Sequence, residues 1–130
     1  MKTDSPVSTN IGGVFVIVKN MPRAVQWYRE ILGFPEDEEF IKTATPDMKT
    51  IYSIPLGKTN LILDSIHRDT LMPSANHLFM FDTNNIEETY EYMKQKNINI
   101  LSEIQGAEDV KFFEVLDSEG NKIMLCEEKG

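Results

Sequence analysis

The chain has 130 residues, of which 41% are hydrophobic and 26% are charged. These values are typical of a single globular domain, and they exclude a disordered or fibrous protein. Thirteen basic residues against 21 acidic residues give a formal net charge of −8, and the basic residues are scattered along the chain. Because such a surface repels phosphate groups, we expect neither nucleic acid nor an anionic membrane as a partner.

The single cysteine, Cys126, predicts that no disulfide forms within the chain. Residues 1–9 are polar and contain no apolar stretch of the length that a signal peptide needs. The longest apolar run, residues 14–18, is too short to cross a membrane. We therefore expect a cytoplasmic protein.

The first half of the chain predicts a strand, a helix and three further strands. Residues 14–18 (Val-Phe-Val-Ile-Val) form a β-branched and aromatic run that is typical of a buried strand. Asn20 can cap a following helix, Pro22 suits its first turn, and Gly33 suits its end. Beyond this helix, short apolar runs separated by turn residues predict strands at residues 40–41, 50–56 and 60–64.

The second half repeats this order of elements. Residues 78–81 predict a strand, and Asn85 can cap a helix with Glu88 as its capping-box partner. Further strands are predicted at residues 98–104, 110–115 and 122–126, with a hairpin turn at residues 117–121. The sequence therefore predicts an α+β fold made of two βαβββ modules.

The two halves of the chain can be aligned in two ways that differ by one residue. Counting from the residue before each strand matches His77 with Gly13, an offset of 77 − 13 = 64. Matching the helices through Met21 and Ile86 gives 86 − 21 = 65 and places Leu78 opposite Gly13 instead. Because adjacent residues of a strand point to opposite faces, the two alignments put His77 on different sides of its sheet.

Two segments carry a resemblance to a known family. Residues 11–28 (IGGVFVIVKNMPRAVQWY), continued by Leu-Gly-Phe at 32–34, resemble the opening strand and helix of the vicinal oxygen chelate superfamily. Residues 112–125 (FFEVLDSEGNKIML) are similar to its closing hairpin. This superfamily includes glyoxalase I, extradiol dioxygenases and bleomycin-resistance proteins.

The resemblance covers residues 11–127 and implies the whole architecture. It implies one domain over residues 1–130 with modules at approximately 11–64 and 76–127. Their curved mixed sheets would surround an open cleft that holds the ligand or the metal ion. Many members pair their subunits to complete this cleft, so we expect a homodimer.

The resemblance also implies four positions at which metal-using members place His, Glu or Gln around one divalent ion. In this chain the positions fall on Gly13, Ile62, His77 and Met124. Glycine and isoleucine offer no donor, and a thioether does not suit the hard or borderline ions of the family. His77 is the only candidate ligand, so we expect no cofactor. A divalent ion would need further donors, such as Asp64, Glu114 or Glu127.

Alternation along the strands then predicts the lining of the cleft. If Gly13, Ile62 and Met124 face the cleft, every second residue on their strands does so too, which adds Asn60 and Lys122. The predicted ligand-binding residues are Phe15, Ile17, Ile62, Asp64, His77, Met124 and Cys126. A mostly apolar lining with a few polar groups is typical of a small-molecule site. We therefore predict binding of a hydrophobic or aromatic small molecule without a catalytic metal.

Other functions stay open at this point. The protein could be a divalent-metal-dependent lyase, isomerase or dioxygenase of the glyoxalase type with relocated ligands, or a non-catalytic protein-interaction module. The apolar side chains could also simply fill the cleft. His77 is the only candidate catalytic residue, because an imidazole titrates near neutral pH and can act as a general base. A histidine at the start of a strand can equally be structural.

Overall fold

A computed structural model describes residues 4–129, so residues 1–3 of the polar leader and residue 130 lie outside the described part of the chain. The elements in chain order are β1 (Gly13–Ile17), α1 (Met21–Ile31), α2 (Glu38–Thr43), β2 (Ile51–Leu56), β3 (Thr59–Asp64), a short 3-10 helix (Arg68–Thr70), β4 (His77–Asp82), α3 (Ile86–Gln95), β5 (Asn99–Ile100), β6 (Gln105–Ala107), β7 (Val110–Leu116) and β8 (Lys122–Glu128). The predicted α+β class with two mixed sheets is confirmed. Within residues 4–129, no helix is both long and apolar enough to span a membrane.

Helix α1 begins and ends where the sequence predicts. The Asn20 side chain accepts a hydrogen bond from the Arg23 backbone N–H at 3.1 Å, which satisfies one of the free donors of the first turn. Pro22 lies in that turn, and Gly33 adopts a left-handed φ of 75° after the helix. The buried residues of the helix are Met21, Ala24, Val25 and Tyr28.

The first sheet has the strand order β1–β3–β2. β1 pairs with β3 in parallel, and β2 pairs with β3 in antiparallel orientation. Leu61 and Leu63 of β3 are buried in the core that α1 also joins. The predicted strands at residues 50–56 and 60–64 are therefore confirmed to within one residue at their ends.

The predicted strand at residues 40–41 is wrong, because this segment belongs to helix α2. Asp37 caps the helix, since its side chain accepts a hydrogen bond from the Phe40 backbone N–H at 3.1 Å. Glu38 and Glu39 place negative charge near the positive end of the helix dipole. Two adjacent apolar residues fit a strand or a helical turn equally well, and here the cap decides. Among the described residues, the first sheet consequently has three strands.

The second sheet has the strand order β4–β8–β7–β5, with β6 also paired to β7. Helix α3 begins at its predicted cap, where the Asn85 side chain accepts a hydrogen bond from the Glu88 backbone N–H at 3.0 Å. The predicted strand at residues 98–104 forms only at Asn99–Ile100. Beyond it, the Ser102 hydroxyl accepts the backbone N–H of Glu114 at 3.2 Å, and this bond takes the place of backbone pairing.

A β-bulge near the start of β4 decides the position of His77. His77 lies opposite Lys122 on β8, whereas Met80 lies opposite Met124. Three residue steps on β4 (80 − 77) therefore match two on β8 (124 − 122). The extra residue keeps His77 on the same face of the sheet as Met80. Before the bulge, His77 corresponds to Gly13 with an offset of 64. After the bulge, Met80 corresponds to Phe15 with an offset of 65.

The turn between β7 and β8 joins the second module to helix α1. The Asp117 carboxylate accepts hydrogen bonds from the Tyr28 hydroxyl at 2.6 Å and from backbone N–H groups of its own turn. The Glu119 carboxylate accepts the backbone N–H groups of Lys19 and Asn20 at 2.7 and 2.9 Å. Burial of Tyr28, followed by the charge of Asp117, raises the pKa of this tyrosine well above its ordinary value.

We expect Tyr28→Phe to lower the free energy of unfolding by about 1.5–3 kcal/mol, the range for a hydrogen bond to a charged group. Urea unfolding at neutral pH measures this loss. Above about pH 10 the difference from the wild type should narrow, because the unfolded chain then loses the Tyr28 proton while the folded chain retains it.

Tyr52→Phe is the matched control for this substitution. The Tyr52 hydroxyl donates to Asp37 at 2.5 Å, but this pair is only partly buried. We expect a smaller loss of stability than for Tyr28→Phe, because water replaces the missing bond more easily at an accessible site. Equal losses for the two substitutions would contradict the special role of the Tyr28–Asp117 bond.

Candidate functional site

Each sheet has one face covered by its own helix and one face directed away from that helix. Because side chains alternate along a strand, the buried residues of the core mark the helix side. We call the other sides the open faces. The open face of the first sheet consists of Gly13, Phe15, Ile17, Ile51, Ser53, Pro55, Asn60, Ile62 and Asp64. The open face of the second sheet includes His77, Met80, Asp82, Val110, Phe112, Glu114, Leu116, Lys122, Met124, Cys126 and Glu128.

All the predicted ligand-binding residues lie on these two open faces, although they are not all accessible. Phe15, Ile17, Ile62 and Asp64 lie on the first face, and His77, Met124 and Cys126 lie on the second. Asp64 and Cys126 are buried. Of the predicted residues, Phe15 and His77 are exposed, and Ile17, Ile62 and Met124 are half-buried.

The open face of the first sheet is apolar at its centre. Phe15 lies opposite Ile62, and 66% of Phe15 is exposed. Ile51 on the neighbouring strand is 46% exposed. A Cβ atom at Gly13 would lie only 2.7 Å from Cδ1 of Ile62. The Ile62 side chain thus takes up the space that a donor side chain at position 13 would need.

Asp64 is engaged in the turn that follows β3. Its Oδ1 accepts the backbone N–H of His67 at 3.2 Å, and its Oδ2 lies 2.8 Å from Nδ1 of the same histidine. Burial acts to raise the Asp64 pKa, but the bonds from His67 outweigh burial and hold the pKa below its ordinary value. This carboxylate therefore stabilises a turn at the rim of the first open face.

The open face of the second sheet combines methionines with charged groups. Met80 and Met124 lie opposite each other on β4 and β8, and Met80 is 43% exposed. Phe112 and Leu116 lie on β7, on either side of Glu114. Methionine side chains are flexible and polarisable, so they can adapt their shape to an apolar ligand.

Three residues of this face form a polar cluster, which we call the His77 cluster: His77, Glu114 and Lys122. The imidazole Nε2 of His77 contacts Oε2 of Glu114. The Lys122 Nζ lies 3.8 Å from the same oxygen. The side chains are 41%, 18% and 28% exposed, respectively. One carboxylate thus faces an imidazole and an ammonium group on a partly accessible surface.

The partnership of His77 with Glu114 was missed from the sequence, although part of the signal was present. The turn at residues 117–121 fixes the pairing of Leu116 with Lys122, and two steps outward place Glu114 opposite Met124. Glu114 therefore shares the face predicted for Met124. The contribution of His77 depends on the bulge in β4, which no residue in the sequence marks.

Cys126 lies on β8 between Asp82 of β4 and Phe112 of β7. It is 3% exposed. Burial, followed by the charges of Glu128 and Asp82, raises the pKa of its thiol. A buried thiol with a raised pKa is a poor nucleophile, so Cys126 acts as a packing residue.

Two cavities lie where helices α1 and α3 approach each other, and the first reaches Asp82 at the edge of the second open face. They have volumes of about 500 and 630 Å³, and both are lined by Gly33 and Tyr92. Neither is lined by a predicted ligand-binding residue. The Arg29 side chain in the second cavity already donates to the Pro35 carbonyl at 2.8 Å.

The fold and the open faces define a two-module protein in which each module presents one side of a mixed sheet. A profile of the Glyoxalase/Bleomycin resistance protein/Dioxygenase superfamily matches residues 10–125. The chain belongs to this superfamily, as the two terminal motifs predict. No protein with a curated description matches the chain in sequence.

Solved structures with the same fold align with nearly the whole chain. A Bacillus anthracis protein assigned to the glyoxalase family is 22% identical, with a TM-score of 0.69 and coverage of 96% of this chain and 99% of that chain. A lactoylglutathione lyase from Agrobacterium tumefaciens is 14% identical, with a TM-score of 0.67 and coverage of 95% and 96%. A glyoxalase/dioxygenase from Nostoc punctiforme is 14% identical, with a TM-score of 0.68 and coverage of 99% and 100%. These identities show a shared fold alone.

The metal positions implied by the family do not fit a divalent ion in this chain. Gly13 and Ile62 carry no donor atom, and the Met124 thioether is a soft ligand. His77 and Glu114 contact each other but supply only two donors. Within residues 4–129, no group of three or more His, Cys, Asp or Glu side chains is placed to hold a metal ion.

The packing role of Cys126 predicts slow alkylation. We expect iodoacetamide to label the native protein at least about ten-fold more slowly than the urea-unfolded protein, because burial hides the thiol and disfavours the reactive thiolate. Mass spectrometry of timed samples measures the two rates, and a free thiol in the same urea solution corrects for the solvent. Equal labelling of the native and unfolded chains would show that Cys126 is exposed and reactive.

Proposed function

We propose that this protein binds a hydrophobic or aromatic small molecule on its open faces and does so without a catalytic metal. The observation that carries the proposal is the exposure of apolar side chains at the family's ligand site. Phe15 is 66% exposed and Met80 is 43% exposed, and each lies beside a non-donor residue at a metal position. Covering large apolar side chains with a ligand removes them from water, which is favourable for binding.

The size of the apolar surface is adequate for useful affinity. Covering about 200 Å² of it contributes roughly 5 kcal/mol before the costs of association, at about 25 cal/mol per Å². Those costs consume much of this free energy. A few polar contacts are then needed to bring the affinity into the micromolar range, and the His77 cluster is placed to supply them.

A second copy of the chain would complete this site. In one chain the centre of the first open face is exposed to water at Phe15 and Ile51. Ligand sites usually bury most of the ligand surface, which a flat sheet face does not do by itself. We infer that the protein works as a homodimer in which the partner subunit helps to cover the open faces.

The binding proposal predicts an effect confined to the open faces. A panel of aromatic molecules is screened by thermal shift, and the hits are measured by calorimetry. We expect dissociation constants below about 1 mM, and we expect Met80→Ser to weaken binding about five-fold, equivalent to roughly 1 kcal/mol.

Met72→Ser is the matched control, because Met72 is 85% exposed and lies outside both open faces. Its affinity should equal that of the wild type. Failure of the whole panel to bind more tightly than millimolar would remove the binding proposal, and equal losses in both variants would place the ligand elsewhere.

The dimer proposal is tested by light scattering. We expect a dimer for the wild type, and a shift to monomer for Phe15→Lys because a charge in a desolvated apolar interface is costly. Val7→Lys introduces the same charge at a residue that is 74% exposed in the leader, and it should remain dimeric. A monomeric wild type at high protein concentration would contradict the proposal.

A further inference from the structure

We propose that the His77 cluster acts as a base toward the bound molecule, so that the site selects an apolar ligand with an acidic hydroxyl group. This inference rests on the proposed binding function and names the chemical class of its ligand. It begins from the three side chains of the cluster, of which two contact the third.

The carboxylate of Glu114 fixes the protonation of the imidazole. A carboxylate can only accept, so the His77 Nε2 that contacts it carries the proton. The neutral imidazole then has its lone pair on Nδ1. Among the described residues, no protein group bonds to this Nδ1, and 41% of the side chain is exposed. The free basic nitrogen is therefore available to a ligand.

Glu114 also lies where it can pair with a charged His77. When the imidazole takes a second proton, the positive charge forms beside the carboxylate and is stabilised by it. A histidine held and charged in this way by an acidic partner is the arrangement that general bases use. The carboxylate need not gain or lose a proton itself.

Lys122 adds a positive charge to the cluster, and this charge attracts an oxygen anion on the same face. Its Nζ lies 3.8 Å from Glu114 Oε2, and its Cα pairs with that of His77 across β4 and β8. The ammonium group has three donors, of which Glu114 can accept only part. The remaining donors suit an oxygen anion, and a hydrogen bond between two charged groups is stronger in a partly desolvated site.

The proton transfer is balanced within the site. The O–H bond of the ligand breaks, its electron pair stays on the oxygen, and the proton forms an N–H bond with His77 Nδ1. The products are a ligand oxyanion beside Lys122 and an imidazolium beside Glu114. Met80 and Met124, on the next row of the same face, provide apolar contact for the body of the ligand.

The test compares 4-nitrophenol with its methyl ether, 4-nitroanisole, in which a methyl group replaces the acidic proton. Binding is measured by calorimetry, and the ionisation of 4-nitrophenol is followed by its phenolate absorption at a pH slightly below its own pKa. We expect 4-nitrophenol to bind at least about ten-fold more tightly than 4-nitroanisole, because a site built around a hydroxyl discriminates against its absence. We also expect the phenolate band to grow on binding.

Variants assign the effect to individual side chains. His77→Gln should reduce the preference for 4-nitrophenol to below about three-fold and abolish the growth of the phenolate band on binding, while the affinity for 4-nitroanisole is retained. Glu114→Gln should weaken the band, because the amide no longer stabilises the imidazolium. Lys122→Met should lower the preference, whereas Lys111→Met should not, since Lys111 lies on the other face of β7 and pairs with Glu87 at 3.3 Å.

The outcomes separate the two proposals. Equal affinity of the wild type for the two probes, or a preference that persists in His77→Gln, overturns the role of the cluster while the binding site stands. Failure of both probes to bind overturns the role of the cluster, and the binding proposal falls with it only if the whole aromatic panel also fails. Thermal unfolding confirms the fold of each variant, and the comparison of the two probes on the wild type decides the question even where a variant does not fold.

Discussion

The carboxylate of Asp117 connects the parts of this structure. It is 6% exposed and accepts hydrogen bonds from the Tyr28 hydroxyl, from two backbone N–H groups of its turn and from the Asn121 side chain. A buried carboxylate is costly unless its oxygens are bonded in this way. Because its partners come from its own turn and from helix α1, the same group fixes the shape of the turn and the docking of the first module.

The hairpin of β7 and β8, which this turn joins, also contacts the starts of both helices. Glu119 in the turn accepts backbone N–H groups at the start of α1, and Glu127 of β8 accepts the Ile86 N–H at the start of α3 at 2.8 Å. Each carboxylate satisfies donors that a helix start leaves free and complements the helix dipole. The hairpin therefore sets the position of both helices and, through the pairing of Glu114 with Met124, the composition of the second open face.

Local chemistry made much of this fold predictable. Asn20 and Asn85 mark helix starts, and the turn at residues 117–121 fixes the register of β7 with β8. The strand expected at residues 98–104 forms only in part, and two further points that the sequence left wrong or open have a different cause. Phe40 and Ile41 by themselves fit either a strand or a helix. The helix is decided by Asp37, which lies outside the apolar pair and caps the helix. The bulge in β4 arises from pairing with β8, a contact between distant residues, so the face of His77 was undetermined by its own segment.

The open faces of the two modules differ in their polar residues. By strand register, the positions of His77, Glu114 and Lys122 correspond in the first sheet to Gly13, Ser53 and Asn60, which carry no charge. The bulge is what makes the first correspondence possible, because it keeps His77 in line with Met80. An apolar ligand between two equivalent apolar faces has no preferred direction. In the proposed binding mode, a polar cluster on one face alone gives the site a polar end and an apolar end, and so it would orient a ligand that has one polar group.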